Sequence, residues 1–212
     1  MIEAGNLAKV YRGAVDVAAV RGVSLRVEAG ELALLMGPSG SGKTTLLSML
    51  GCILTPDEGT LRVCGEEIDW SGRALPAIRR RFFGFIYQHF NLLASLTARE
   101  NVEVPLVLAG RSGDPDAALA AVGMGHRASF RPESLSGGEK QRVAIARAMA
   151  ADAPVILGDE PTGNLDSENG RAVFAALRDL ADRGRTVLVV THDERWVRYA
   201  DRVFRMEDGE LT

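Results

Sequence analysis

Cysteine is nearly absent from this chain: Cys52 and Cys64 are the two among 212 residues. They form neither a metal-type spacing nor a redox pair. Both read as small buried apolar residues, since free cysteine is often buried, and no disulfide is expected, which suits the cytosol. Long apolar runs are also missing. Runs such as 32–36 and 187–190 are strand-sized, far short of the roughly 18–20 residues a membrane span needs. Work at a membrane would require another chain to cross it. The opening Met1-Ile2-Glu3-Ala4-Gly5-Asn6 lacks the basic region and apolar stretch of a signal peptide. A surplus of positive charge is missing as well, with 25 Lys and Arg against 28 Asp and Glu, so no nucleic-acid partner is expected. No internal repeat, low-complexity tract or long linker divides the sequence, and its length suits one domain.

What is present is the balance of a soluble globular protein, 46% hydrophobic and 25% charged. Strand and helix patterns alternate, which predicts an α/β fold with a mostly parallel sheet. The opening differs: 7–11, 17–20 and 22–28 read as short strands separated by turns, an antiparallel β layer beside the core. Further strands are predicted at 31–36, 60–63, 84–87, 155–157 and 186–191, with helices at 43–52, 168–183 and 194–200. Between about 91 and 151 strand patterns vanish and helix formers dominate, especially over 96–110 and 115–122. This stretch is expected to be a helical subdomain inserted into an α/β core of 1–90 and 152–212.

Gly37-Pro38-Ser39-Gly40-Ser41-Gly42-Lys43-Thr44 matches G-x-x-x-x-G-K-[ST] and lies between an apolar strand and a helix, the context this motif requires. Glycines let backbone N–H groups wrap phosphate oxygens, and the following helix aims its positive end at the same anion. Lys43 adds a charge near the β- and γ-phosphates, and Thr44 offers a hydroxyl to Mg²⁺. Thr45 follows as a further nucleotide contact. The apolar strand 155–157 leads through Gly158 to Asp159 and Glu160. Beside a phosphate loop, Asp159 would hold Mg²⁺ through water, and Glu160 would polarise the attacking water.

A phosphate loop alone does not choose among kinases, GTPases and ATPases. Leu135-Ser136-Gly137-Gly138-Glu139-Lys140-Gln141-Arg142, extended by 143–148, closely resembles the signature of ABC ATPases. Ser136 and two glycines before a helix make a second N-terminus suited to an anion. One ATP needs one cradle, so a second cradle makes sense if it covers the nucleotide of another subunit. The resemblance implies that arrangement: two copies pair head to tail and trap two ATP molecules, with Ser136, Gly137, Gly138 and Glu139 at the far side of each. It also implies that Tyr11 stacks on adenine and that Gln88 touches the metal or the water. The loop 161–166, ending in Asp166, would cross to the partner, and His192 would contact the γ-phosphate. His89 and His126 have no such match. Relatives often carry alanine at the position of Gly158, a difference expected to affect packing alone.

The finer resemblance is to the lipoprotein-release and macrolide-export ATPases, with the cell-division ATPase nearby. It rests on 84–88, 90–93, 96–102, 161–166 and 206–212. It implies a separate permease-like membrane subunit and a place at the inner face of the cell membrane. An amino-acid-importer ATPase, a cell-division scaffold and a soluble ABC factor stay open as alternatives. The stretch 90–96, with apolar Phe90, Leu92, Leu93 and Leu96, is expected to supply the partner's docking groove.

Overall fold

The computed structural model describes residues 1–212. The chain runs β1 (Ile2–Tyr11), β2 (Val17–Val27), β3 (Leu32–Met36), α1 (Lys43–Leu50), β4 (Glu58–Val63) and β5 (Glu66–Glu67). It continues through α2 (Leu75–Phe82), β6 (Phe83–Tyr87), α3 (Ala98–Ala109), α4 (Pro115–Ala121) and α5 (Gly137–Ala150). It ends with β7 (Val155–Asp159), α6 (Ser167–Asp182), β8 (Thr186–Val190), β9 (Arg202–Glu207) and β10 (Glu210–Leu211). Two sheets result. A four-stranded antiparallel sheet has the order β2-β1-β4-β5, and a six-stranded sheet has the order β10-β9-β3-β8-β7-β6. In the second sheet every pairing from β9 to β6 is parallel, and β10 adds an antiparallel edge.

The central strands are apolar along their whole length because both faces are covered. Period two separates the faces. Ala33, Leu35, Leu157 and Leu188 join β1, β2 and α1 in one core. Leu32, Leu34, Ile156 and Val189 join α5 and α6 in another. A third core lies among α3, α4 and α5 around Val102, Leu119, Met124 and Val143. Helix α5 therefore belongs to two cores: Ile145 and Ala148 face the sheet, and Val143 and Ala146 face the other helices. No strand occurs between β6 and β7.

Several local expectations need correction. The opening strands are longer than expected and continuous; Gly22 bends β2 with φ +66° and does not end it. The sequence reading missed α2, β9 and β10. Cys52 is buried, and burial pushes its thiol up to about 12. Cys64, in contrast, is exposed. It sits with Gly65 in the tight turn between β4 and β5, both at positive φ (52° and 84°), and such a two-residue hairpin turn points away from the core.

Candidate active site

The strand order explains why residues far apart in sequence converge. Neighbours β3, β8, β7 and β6 run parallel, so their C-terminal ends share one edge, where ligands bind in open α/β sheets. The phosphate loop follows β3, His192 follows β8, Asp159 and Glu160 end and follow β7, and Gln88 follows β6. They surround an open cleft of about 620 Å³ lined by Ser39, Gly40, Gly42, Lys43, Thr44, Thr45, Gln88, Glu160 and His192. Ala19 of β2 and Val190 of β8 complete the wall. Neither was foreseen, because an alanine and a strand-end valine carry no chemical signature; the packing of the antiparallel sheet brings Ala19 there.

The phosphate loop is held tightly from outside. A β-carbon on Gly37 would lie 2.0 Å from the Met206 carbonyl oxygen, and one on Gly42 would lie 2.1 Å from that of Ala19. Both glycines have positive φ, 153° and 100°, so no other residue fits at either position. The backbone N–H groups of Gly40, Gly42, Lys43, Thr44 and Thr45 donate to no protein acceptor. They form a nest of donors at a helix N-terminus, suited to an anion. Lys43 lies in this nest, and its Nζ donates to the Gly37 and Pro38 carbonyls (2.8 and 2.6 Å) and to Ser41 Oγ (3.3 Å). Burial lowers the Lys43 pKa, opposed by the charges of Glu160 and Asp159.

Thr44 Oγ1 donates to Asp159 Oδ1 at 3.2 Å. Burial pushes the Asp159 carboxyl up; the Thr44 bond and Lys43 pull it down, and Glu160 adds to the rise. Glu160 has φ +46°, a left-handed conformation that costs a residue with a side chain about 1–2 kcal/mol. Its amide is anchored to the Val190 carbonyl at 3.0 Å, and such strain clusters at functional sites. His192 Nδ1 lies 2.7 Å from Glu160 Oε1. With the carboxylate oxygen as acceptor, Nδ1–H is the donor of this bond. Gln88 is tied to the loop that follows Glu160: Asn164 Nδ2 donates to the Gln88 carbonyl at 3.0 Å, and a β-carbon on Gly163 would lie 2.9 Å from Gln88 Nε2.

No three His, Cys, Asp or Glu side chains gather into a metal cage. Thr44, Asp159 and Gln88 offer instead a few hard oxygen donors beside an anion nest. That set fits Mg²⁺, which keeps several waters and binds largely through substrate phosphates.

Other expected residues lie away from the cleft. Tyr11 pairs with Val17 on β2 and is 47% exposed. Ser136 caps α5 in a reciprocal box with Glu139 (2.8 and 3.3 Å), and Glu139 also accepts from Arg127 Nε at 3.1 Å. The N–H groups of Gly137 and Gly138 have no protein acceptor. Asp166 caps α6, accepting from the amides of Glu168 and Asn169 (3.0 and 2.9 Å) and from Asn169 Nδ2 (2.8 Å). The carboxylates of Glu139 and Asp166 are thus occupied within the fold. None of these residues lines the cleft around Lys43.

A family model described as ABC transporter matches residues 20–163. The chain belongs to the ABC transporter family. The cassette is 44% identical to a macrolide export ATP-binding/permease protein, MacB, of Salmonella paratyphi A, over all of this chain and 34% of that protein. It spans about a third of the length of the MacB relatives it matches. It is 45% identical to an uncharacterized ABC transporter ATP-binding protein of Thermotoga maritima, over 100% of this chain and 93% of the relative. Among solved structures, the ATP-binding cassette MJ0796 in a dimeric post-hydrolysis state, bound to ADP and Pi, superposes with a TM-score of 0.92. It shares 39% identity, covering 100% of this chain and 96% of that one. The fold is that of an ABC ATPase cassette, with its antiparallel β layer, parallel core and helical segment, and the cassette binds and hydrolyses ATP.

Proposed function

We propose that two copies of this cassette sandwich two ATP molecules head to tail and drive a membrane subunit from the cytoplasmic face. The observation that carries the reading is the pair of unpartnered donor nests. One, at 40–45, lines the chain's own cleft. The other, at Gly137 and Gly138, lies outside it and is left for a second copy's nucleotide. The dimeric ADP- and Pi-bound relative supports this arrangement.

In this reading Tyr11 stacks on adenine, and Lys43 leaves its loop carbonyls for the β- and γ-phosphate oxygens. Thr44 and Gln88, with Asp159 through water, would hold Mg²⁺, which neutralises phosphate charge. Glu160 takes a proton from water as its oxygen bonds to the γ-phosphorus and the bond to the ADP oxygen breaks. His192, held by Glu160, contacts the γ-phosphate. Residues 91–151 act as a helical subdomain carrying the signature, and the loop ending at Asp166 reaches towards the partner copy.

No helix is long and apolar enough to cross a membrane, and in this reading the force leaves through a docking surface. The expected stretch 90–96 suits this less than its neighbourhood does. Phe90, Leu92 and Leu96 are half-buried and Leu93 is 50% exposed, but Asn101 fastens the segment, bonding the Leu93 amide and the carbonyls of Leu93, Leu96 and Thr97. An apolar groove of about 400 Å³ beside it is lined by Ile53, Phe83, Phe85, Tyr87, Pro105 and Leu108, with Arg79 and Arg80 at its edge. We place there a short amphipathic helix with an acidic residue, from a permease-like subunit.

Mixing subunits tests the core of the proposal. Lys43→Ala and Ser136→Arg are each expected to abolish hydrolysis alone. In a mixed dimer one site carries both lesions and the other carries none, so activity returns if the signature acts in trans. No recovery, with mixed dimers demonstrated, refutes the arrangement. Glu160→Gln should bind ATP, hydrolyse it about 10²–10⁴-fold more slowly, and appear as a dimer by light scattering with ATP.

A further inference from the structure

Arg147, on α5, has no carboxylate partner. Its Nη1 donates to the Asn91 carbonyl at 2.5 Å and its Nη2 to the Phe90 carbonyl at 2.9 Å. Burial pulls the guanidinium below its ordinary value. A partly buried cation without a counter-charge is costly, so what it holds matters. It holds two successive residues with side chains in the left-handed region, Phe90 at φ +63° and Asn91 at φ +48°. Such a pair persists only where its surroundings enforce it. The turn is closed on itself by two bonds, from the Phe90 amide to the Tyr87 carbonyl (3.1 Å) and from the Asn91 amide to the His89 carbonyl (2.6 Å). Gln88, which lines the cleft, lies inside that turn. Asn164 fixes it from the other side.

We infer that Arg147 is a positioning residue for Gln88: its forked guanidinium fixes the left-handed turn at Phe90 and Asn91, and thereby ties Gln88 to helix α5. The inference rests on the nucleotide-site reading above. It links two places the fold otherwise separates, the cleft wall and the helix whose first turn bears Gly137 and Gly138. A shift of α5 is carried through Arg147 into the turn and changes where the Gln88 amide stands, without touching the nest that binds phosphate.

The test uses the full chain with ATP. Arg147→Ala should lower kcat by about 10–100-fold, the effect of misplacing a group near the reacting centre. KM for ATP and the Kd for a fluorescent ATP analogue should stay within about twofold of wild type, since the nest is intact. Amide hydrogen exchange should quicken at Phe90 and Asn91 and stay unchanged along α5. Arg147→Lys keeps the charge but not the fork and should give an intermediate kcat. Adding Asn91→Gly to Arg147→Ala should restore part of kcat, because glycine adopts the left-handed region freely; a general structural role for Arg147 would show no such recovery. A wild-type kcat in Arg147→Ala overturns the inference, as does a joint loss of nucleotide affinity and kcat. If Arg147→Ala does not fold, Arg147→Lys carries the same test, and an unchanged kcat there overturns it. Glu160→Gln is measured alongside: normal hydrolysis by that variant refutes the nucleotide-site reading itself, whereas normal hydrolysis by the Arg147 variants alone refutes only this inference.

Discussion

Gly137 and Gly138 are adjacent, share the first turn of α5, and should respond in opposite ways to a single added methyl group. At Gly138 a β-carbon would lie 2.8 Å from Asn169 Oδ1 and 2.9 Å from its Cγ. Asn169 cannot step aside cheaply, because Oδ1 accepts from Arg142 Nη1 at 2.7 Å and Nδ2 donates to Asp166 at 2.8 Å. Each bond involves a charged group, and breaking one costs about 1.5–3 kcal/mol. In a chain of this size that corresponds to a Tm about 3–12 °C lower for Gly138→Ala. At Gly137 the nearest atoms to a β-carbon are 3.9 Å away, the Asn164 carbonyl oxygen and Phe90 Cζ. Alanine exceeds glycine in helix propensity by up to about 1 kcal/mol, so Gly137→Ala should leave Tm unchanged or raise it by up to about 4 °C. Its activity should nonetheless collapse, because the methyl keeps a partner's phosphate away from the bare N–H groups. Thermal melts paired with steady-state ATPase rates and light scattering in the Glu160→Gln background separate the two effects. A Gly137→Ala protein that hydrolyses ATP and dimerises like wild type would show that no ligand approaches this face. A Gly138→Ala protein with an unchanged Tm would refute the packing argument.

Lys43→Ala removes a charge-assisted donor worth about 1.5–3 kcal/mol, so nucleotide affinity measured by titration calorimetry should fall about 10–150-fold; a change under threefold would refute the role given to Lys43. Leu108→Glu, at a position 63% exposed on the apolar groove, should leave folding and ATP binding intact and abolish co-purification with the membrane subunit. Retained binding there, and after Arg80→Glu, would move the docking site elsewhere. Asp201 accepts from Arg178 (2.6 Å) and from the Leu32 amide at the start of β3 (2.8 Å), and the Arg178 bond holds its carboxyl below the ordinary range. Its stabilisation is therefore present above the unfolded pKa near 4 and is lost as pH falls through the lowered folded value. Asp201→Asn should cost about 1 kcal/mol at pH 7, the pair being half exposed and screened. The gap to wild type in denaturant melts should close below about pH 4; a gap that persists at pH 2–3 would contradict the assignment.

The parts of this fold that could be read in advance are those where chemistry dictates a local pattern. The phosphate loop is legible because wrapping a phosphate demands glycines at fixed intervals, and positive φ at Gly37, Gly40 and Gly42 is what those glycines provide. The strands β3, β7 and β8 are legible because burial on both faces leaves an unbroken apolar run. Helix α2 is not, since Arg79, Arg80 and Arg81 interrupt its core-facing Leu75, Ile78 and Phe82, and a two-turn amphipathic helix looks like loop. Strand β9 mixes charged and apolar residues without a strict alternation, and pairs with β3 only after a long detour of the chain. The cleft wall at Ala19, the exposed Cys64 and the apolar groove at Ile53 and Leu108 depend on which surfaces meet in three dimensions, and no spacing along the chain records that.

Hydrogen bonds made by motif side chains that do not line the cleft add a further constraint. Three side chains join segments that act together in the proposed nucleotide chemistry. Asn164 bonds the Gln88 carbonyl, Arg147 bonds the carbonyls just beyond it, and Arg142 reaches Asn169 at the cap formed by Asp166. Arg142 and Arg147 both project from α5, five residues apart in the sequence and therefore on different sides of the helix. One side grips the turn after Gln88, and the other grips the start of α6. A rigid displacement of α5 must stretch at least one of these contacts. On the proposed head-to-tail arrangement, the helix that bears Gly137 and Gly138 would be the element through which arrival of a second copy's nucleotide is felt at Gln88. Arg142→Ala should weaken the α6 cap without loosening the Gln88 turn, so amide exchange should quicken at Glu168 and Asn169 and not at Phe90 or Asn91. Faster exchange at both places would mean that α5 itself had loosened, and that the two arginines do not act separately.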